Sequence, residues 1–258
     1  MLWKKENGLN YLQFPSMAAL PGFFHGVFMR SASDSFGNPE EFNLGLGCGT
    51  PEDRVQQNRQ RMLDTFGKGL VGVYARQVHG TQVGIWNSHT ALQSTIRLNG
   101  DALVTARISG ALVIQTADCQ SVIVIDPVRR VVANIHSGWR GSVGNIIGRT
   151  IAAMADEFAC RPRDLVCGIG PSLGPCCAEF VNYRQEIPLV YWGYRLADDH
   201  FDFWRISRDQ LAAAGVPEKN ISTAGICTKC NRHVFFSYRG EQQTGRFAAV
   251  VGLRAGEG

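Results

Sequence analysis

The stretch TADCQSVIVIDPVRRVVANIHSGWRG, Thr116 to Gly141, sets two apolar runs, SVIVI from Ser121 and VVANI from Val131, on either side of DPVRR. Asp126 and Pro127 are turn formers, so the two runs predict an antiparallel hairpin. A turn centred between Pro127 and Val128 places Cys119, just before the first run, opposite His136, just after the second. Directly opposed side chains have Cβ atoms roughly 4.5 to 5.5 Å apart, close enough to share a metal ion or a proton. Taken singly, they are a buried Cys and a His closing a strand, ordinary ends of a core hairpin. Taken together, with Asp118, Ser137 and Arg140 nearby, they are candidates for one site.

Outward from this hairpin, short β-favouring runs follow one another closely: LVGVYA from Leu70, DALVT from Asp101 and ALVIQT from Ala111. The regular intervening helices of a doubly wound sheet are missing from the pattern. After His136 the periodicity changes. Ile147, Ile151, Met154, Ala155 and Phe158 recur at helical spacing, and a second helix is expected over Val55 to Phe66. Strands resume at LVCGIG from Leu165, ISTAGI from Ile221, VFFSY from Val234 and FAAVVGL from Phe247. The sum is an α+β chain, expected as one domain over 1–258 with mixed sheets and helices outside.

A third ligand for the Cys119–His136 pair should come from another strand end. RQVHG, Arg76 to Gly80, offers His79 in a strand-then-Gly setting like that of His136 before SGWRG. Two imidazoles and one thiolate suit zinc, with the fourth tetrahedral position left to water or substrate. The same set can hold copper. A blue-copper site, however, adds an axial Met soon after its Cys, and Gln120 to Asp126 contains none. Six histidines without a His-X-His pair also fall short of a multicopper oxidase.

His25, His89, His200 and His233 lack such settings and read as surface or core residues. CTKC, Cys227 to Cys230, has zinc-like spacing, but without a second such pair it reads as two reduced thiols. Pro175-Cys176-Cys177 starts like the P-C-x-x-C of nucleobase deaminases, then departs at Ala178 and Glu179. SGWRG leads into the helix expected from Asn145, so backbone amides and Arg140 are candidates to meet an anion there. The plainer reading of Arg140 is a surface cation over Trp139.

Composition bounds the function. At 258 residues and 45% hydrophobic, the chain has ample material for a packed core. A formal charge of +4 without a dense Lys/Arg run argues against nucleic-acid binding. ALPGFFHGVFM is interrupted by Pro21 and His25, and no apolar run reaches membrane-spanning length. MLWKKENGLNYLQF does not resemble a secretory signal, so the eight cysteines are expected as thiols in a cytoplasmic protein.

RQVHG, DALVT, TADCQSVIVIDP, HSGWRG, GIGPSLGPCCAEF, the CT of CTKC, FFSYRG and TGR, in this order, resemble the laccase-domain family. That family is also called the polyphenol oxidase or purine nucleoside phosphorylase family. The resemblance runs from roughly His25 to Leu253. It implies a layered α/β/β/α fold like that of cysteine-hydrolase-like toxin domains, with metal ligands, also the catalytic residues, on His79, Cys119 and His136. It further implies zinc-dependent phosphorolysis of adenosine, inosine, guanosine and methylthioadenosine, together with adenosine deamination. By the same match Arg30 is the candidate phosphate ligand, with Asn43 of FNLGL beside it. SASDSFG, Ser31 to Gly37, departs from the family's glycine-rich run and adds Asp34. Purine nucleosides and phosphate are the expected partners. The competing readings are a copper-dependent polyphenol oxidase, a metal-free Cys-His hydrolase with Cys119 as nucleophile, and a non-enzymatic metal-binding partner.

Overall fold

The computed structural model describes residues 1–31, 42–87 and 95–254. Asp34, the rest of the SASDSFG departure after Ser31, and His89 lie outside them. Among the described residues, thirteen strands form two mixed sheets. Along the chain they are β1 (Leu2–Glu6), β2 (Leu9–Gln13), β3 (Phe23–Phe28), β4 (Val71–Arg76), β5 (Val83–Trp86), β6 (Thr95–Asn99) and β7 (Ala102–Thr105). Then come β8 (Gly110–Thr116), β9 (Gln120–Asp126), β10 (Val131–Ser137), β11 (Val166–Ile169), β12 (Ile221–Thr223) and β13 (Phe247–Leu253). The first sheet runs β1-β2-β3-β13-β8-β4-β6 and the second β12-β11-β9-β10-β7-β5. The helices are α1 (Pro15–Ala18), α2 (Glu52–Asp64), α3 (Trp139–Val143), α4 (Ile146–Phe158), α5 (Tyr183–Glu186), α6 (Phe203–Ala213) and α7 (Tyr238–Glu241).

Period-two alternation sorts the side chains into layers. In β10, Val131, Ala133 and Ile135 face α4 and α6, packing on Ile147, Ile151, Met154 and Leu211. Val132 points the other way, joining Ile123, Leu112, Ala249 and Val251 in the core between the sheets. On the far side Tyr74, Val113 and Val250 pack against Met62 and Leu63 of α2. The order is α/β/β/α. Each fully buried Ile or Met contributes about 1.5–3 kcal/mol. Asn134 is a buried polar residue in the middle of β10. Its Nδ2 donates to the Leu112 and Ala249 carbonyls at 3.0 and 2.8 Å, joining one sheet to the other.

The hairpin forms, but its turn falls one position later than expected. Asp126 pairs with Val131 and His136 with Ser121, so Cys119 is not directly opposite His136. Asp126 Oδ1 accepts the amides of Val128 and Arg129 at 2.9 and 2.8 Å, and Arg130 is left-handed at φ 55°. That closes a loop of Pro127 to Arg130. VFFSY is not a strand either. Phe235 and Phe236 plug the inter-sheet core, the Phe235 amide bonds back to the Asn231 carbonyl, and Ser237 caps α7. The helix over 55–66 begins earlier, behind Pro51, with Glu52 and Asp53 in its first turn.

Among the described residues no helix lies between β4 and β9, because the chain alternates sheets instead. β4, β6 and β8 lie parallel in the first sheet, and each hands over directly to a strand of the second. The crossings β4→β5, β6→β7 and β8→β9 therefore all leave from the same edge. The C-terminal end of β10 arrives there too.

Candidate metal centre

Each of these crossings brings one functional side chain to that edge. His79 lies on the first, Asp101 on the second and Cys119 on the third, while His136 closes β10. The donor atoms of His79, Cys119 and His136 lie within 4.8 Å of one another. Cys119 Sγ is 3.7 Å from His79 Nε2. A tetrahedral ion about 2.0–2.3 Å from each donor sets such donors roughly 3.3–3.8 Å apart, a spacing that the Cys119–His79 pair meets. Cys119 and His136 meet although their register differs from expectation, because the displacement is two positions in pairing and leaves both on the same face.

Asp101 is the group that sequence reasoning passed over. It is fully buried, and its Oδ1 lies 2.8 Å from His136 Nδ1, which turns Nε2 toward the other donors. The same carboxylate accepts the consecutive amides of Val78, His79 and Gly80 at 3.2, 2.9 and 2.7 Å. Those bonds hold His79 in the left-handed region at φ 60°, so one carboxylate orients two of the three candidate donors. An Asp directly after Asn99-Gly100 at a strand start was the available signal. Asp118 fixes the third ligand. At φ 90° it accepts from Thr228 Oγ1 and the Arg239 amide, each at 2.6 Å.

Burial opposes ionisation of Cys119, yet hydrogen bonds and charge from His136, then His79, outweigh it and draw the thiol down to about 6. Burial likewise disfavours a charged His136. The Asp101 carboxylate and the Cys119 sulfur overcome this and push the ring up to about 9. The two shifts favour a thiolate beside an imidazolium, a polarity that a cation can take over by displacing the ring proton.

The cleft above the donors has a volume of about 710 Å³. Six arginines line it, Arg59, Arg76, Arg97, Arg140, Arg239 and Arg246, and Trp139, Phe180, Phe203 and Tyr238 supply aromatic surface. Arg140 reaches the cleft with its guanidinium 4.7 Å from the Trp139 ring. The helix that starts beside the donors is the short α3, not α4. Asn145, in left-handed conformation, caps α4 through its own side chain.

Arg30 and Asn43 are not among the described residues lining the cleft. Arg30 pairs with Glu241, donates to the Arg232 carbonyl and stacks over Phe236. Asn43 is buried, and its Oδ1 accepts the amides of Gly45 and Arg246 at 2.9 and 2.8 Å, behind the cleft wall. Of the other histidines, His25 is buried and its Nε2 accepts the Phe14 amide, and His200 bonds the Asp198 carbonyl. A second group of sulfurs, from Cys176, Cys177, Cys227 and Cys230, gathers elsewhere.

Parallel strands crossing between two sheets, with a His2Cys donor set at their common edge, define a family. The sequence model described as multi-copper polyphenol oxidoreductase laccase matches residues 24–254, and the chain belongs to that family. Among its relatives is a purine nucleoside phosphorylase of Deinococcus radiodurans, 32% identical, covering 97% of this chain and 96% of that one. Another, of Xylella fastidiosa, is 31% identical over 82% of this chain and 85% of its own. The crystal structure of YlmD from Geobacillus stearothermophilus superposes with a TM-score of 0.82 at 28% identity, covering 98% and 99% of the two chains. No helix among the described residues is long and apolar enough to cross a membrane.

Proposed function

We propose that the protein is a zinc-dependent purine nucleoside phosphorylase acting on adenosine, inosine, guanosine and methylthioadenosine, with adenosine deamination as a second reaction. One observation carries this reading: an incomplete donor set opens onto a cleft of nucleoside size that offers cations and ring faces together. The relatives named purine nucleoside phosphorylase support the same substrate class. His79, Cys119 and His136 would hold the ion, which when bound supplies Lewis acidity at a position left to water or substrate. Arg140 would hold phosphate, with Trp139 and Phe180 offering ring faces to the base, a reading supported by their common position in the cleft lining. Phosphorolysis forms the phosphate O–C1′ bond as the C1′–N9 bond breaks, so a fixed phosphate and exclusion of water are the requirements. Arg30 and Asn43, the phosphate ligands that the family match implies, do not line the described cleft, and we propose that they act on it from behind, through α7 and the Arg246 amide.

Metal analysis coupled to turnover tests this. Zinc should co-purify, and free base should appear from adenosine and inosine only with phosphate, whereas ammonia release from adenosine should not need it. Absence of base release with zinc and phosphate both present would sink the reading. A second reading has its own observation, since Cys119, His136 and Asp101 also form a thiol–imidazole–carboxylate series. Turnover that survives a strong chelator and is lost on thiol alkylation would favour that metal-free hydrolase. Oxygen uptake with phenols in proportion to bound copper would instead favour the oxidase that the family description suggests.

A further inference from the structure

We propose that Cys176, Cys177, Cys227 and Cys230 form a second metal site, a closed tetrathiolate clip for zinc, independent of the His79–Cys119–His136 set. The four sulfurs lie within 4.8 Å of one another, and Cys230 Sγ is 3.6 Å from both Cys176 Sγ and Cys177 Sγ. Four thiolates about 2.3 Å from a tetrahedral zinc ion stand roughly 3.8 Å apart. A disulfide requires about 2.05 Å, and all four cysteines are free thiols. The spacing thus matches shared coordination rather than a covalent pair.

The local backbone also suits coordination. Cys176 and Cys177 sit in a tight turn in which the amides of Cys177 and Ala178 return to the Gly174 carbonyl at 2.9 and 3.0 Å. Cys227 and Cys230 sit in another, where Asn231 bonds the Cys227 carbonyl through both its amide and its side chain. The two turns meet closely, since a Cβ on Gly174 would lie 3.0 Å from Cys227 Cβ. The turns are joined by the bridge between Ser172 and Cys227. Cys176 and Cys230 are exposed, so an ion can enter from solvent, while Cys227 anchors the group at its buried end. Soft sulfur donors disfavour magnesium and calcium, and tetrahedral S4 geometry selects zinc.

The clip would brace the metal centre from behind. Thr228, inside the Cys227–Cys230 turn, holds Asp118, the residue before Cys119. The Gly174–Ala178 turn leads to Phe180 of the cleft wall.

The test uses the full chain with Cys119→Ala, which removes a ligand of the first site and leaves all four clip thiols. Purified under reducing conditions, this variant should retain about one equivalent of zinc. Exchange with cobalt alone should then give the intense visible bands of a tetrahedral ion and sulfur-to-cobalt charge transfer scaled to four thiolates. A Cys176→Ser/Cys230→Ser double variant should lose that signature while zinc persists at the other site. If the double variant does not fold, the cobalt spectrum of Cys119→Ala still decides. Cys119→Ala protein without zinc, without a thiolate–cobalt spectrum and with all four thiols titrating freely would overturn the proposal. So would an oxidised pair among the four in the protein as isolated, seen as a mass lower by a hydrogen pair.

Discussion

The two sulfur-bearing clusters stand on either side of Asp118 and differ in almost every respect that governs coordination chemistry. His79, Cys119 and His136 are three unlike donors graded from exposed to buried, with the Asp101 carboxylate behind them. The cysteine group is four like donors on two turns, with Cys176 and Cys230 exposed and Cys227 buried. An incomplete set at the floor of a cleft leaves room for chemistry. A complete set at a rim leaves none, and can only join segments.

Alanine substitution should break the comparison most sharply. Cys119→Ala is expected to lower phosphorolysis by about three orders of magnitude, as loss of several kcal/mol of Lewis-acid stabilisation implies. Cys227→Ala should keep kcat/KM within about threefold in the folded protein but lower Tm measurably, as removal of a purely structural site does. Equal activity losses would erase the distinction.

Thiol reactivity in chelated protein gives the next contrast. The Cys119 thiol is depressed, so its thiolate persists as pH falls to about 6 and is lost below it. Burial and its neighbours Cys227 and Cys230 instead raise Cys176 to about 11, leaving it almost wholly protonated at neutral pH. At pH 7 Cys119 should alkylate on the order of a hundredfold faster, after allowing for the lower nucleophilicity of the more acidic thiol. Residue-resolved mass spectrometry reads this, and comparable rates would contradict it.

Asp101→Asn should cost about 10–100-fold in zinc affinity, as loss of the carboxylate behind an imidazole ligand does. It should also move the Cys119 alkylation midpoint upward, because the imidazolium is less well supported. Competition with a chromogenic chelator measures the first effect, and the clip's affinity should not change. Gly138→Ala should cost about tenfold in zinc affinity, because its Cβ would lie 2.7 Å from His79 Cδ2 and 3.1 Å from Cys119 Sγ. Gly193→Ala, with open space around it, is the matched control. The smallest effect separates two arginines: Arg140→Ala should raise the KM for phosphate about tenfold and Arg30→Ala only about threefold. The reverse order would return Arg30 to direct contact.

Much of the centre was legible because His79 and His136 share a strand-end-then-Gly setting and Cys119 begins a strongly apolar run. The hairpin register was not, since Asp126 caps a longer loop than Asp-Pro alone suggests. The inference survived because side-chain parity survived. Asp101 escaped notice because its partners are 21 to 35 residues away, on crossings between sheets that local periodicity does not encode. The cysteine group was hidden likewise, its two halves lying 53 residues apart from Cys177 to Cys230. Exposed, polar β1 carries no alternation of burial to find, while the aromatic VFFSY mimics a strand and instead fills the core.

Asn134, two residues before His136, donates to carbonyls of β8 and β13 across the interior. Breaking either bond would strand a buried amide at a cost of about 1–3 kcal/mol. The opposed sheets are thereby coupled as one rigid frame, and their shared edge cannot widen by one sheet gliding over the other. Accommodation of ligands of different size then falls to the wall from Trp139 to Phe203. In engineering terms the frame is a vice with one fixed jaw: selectivity can be retuned at the aromatic jaw without disturbing the ligands.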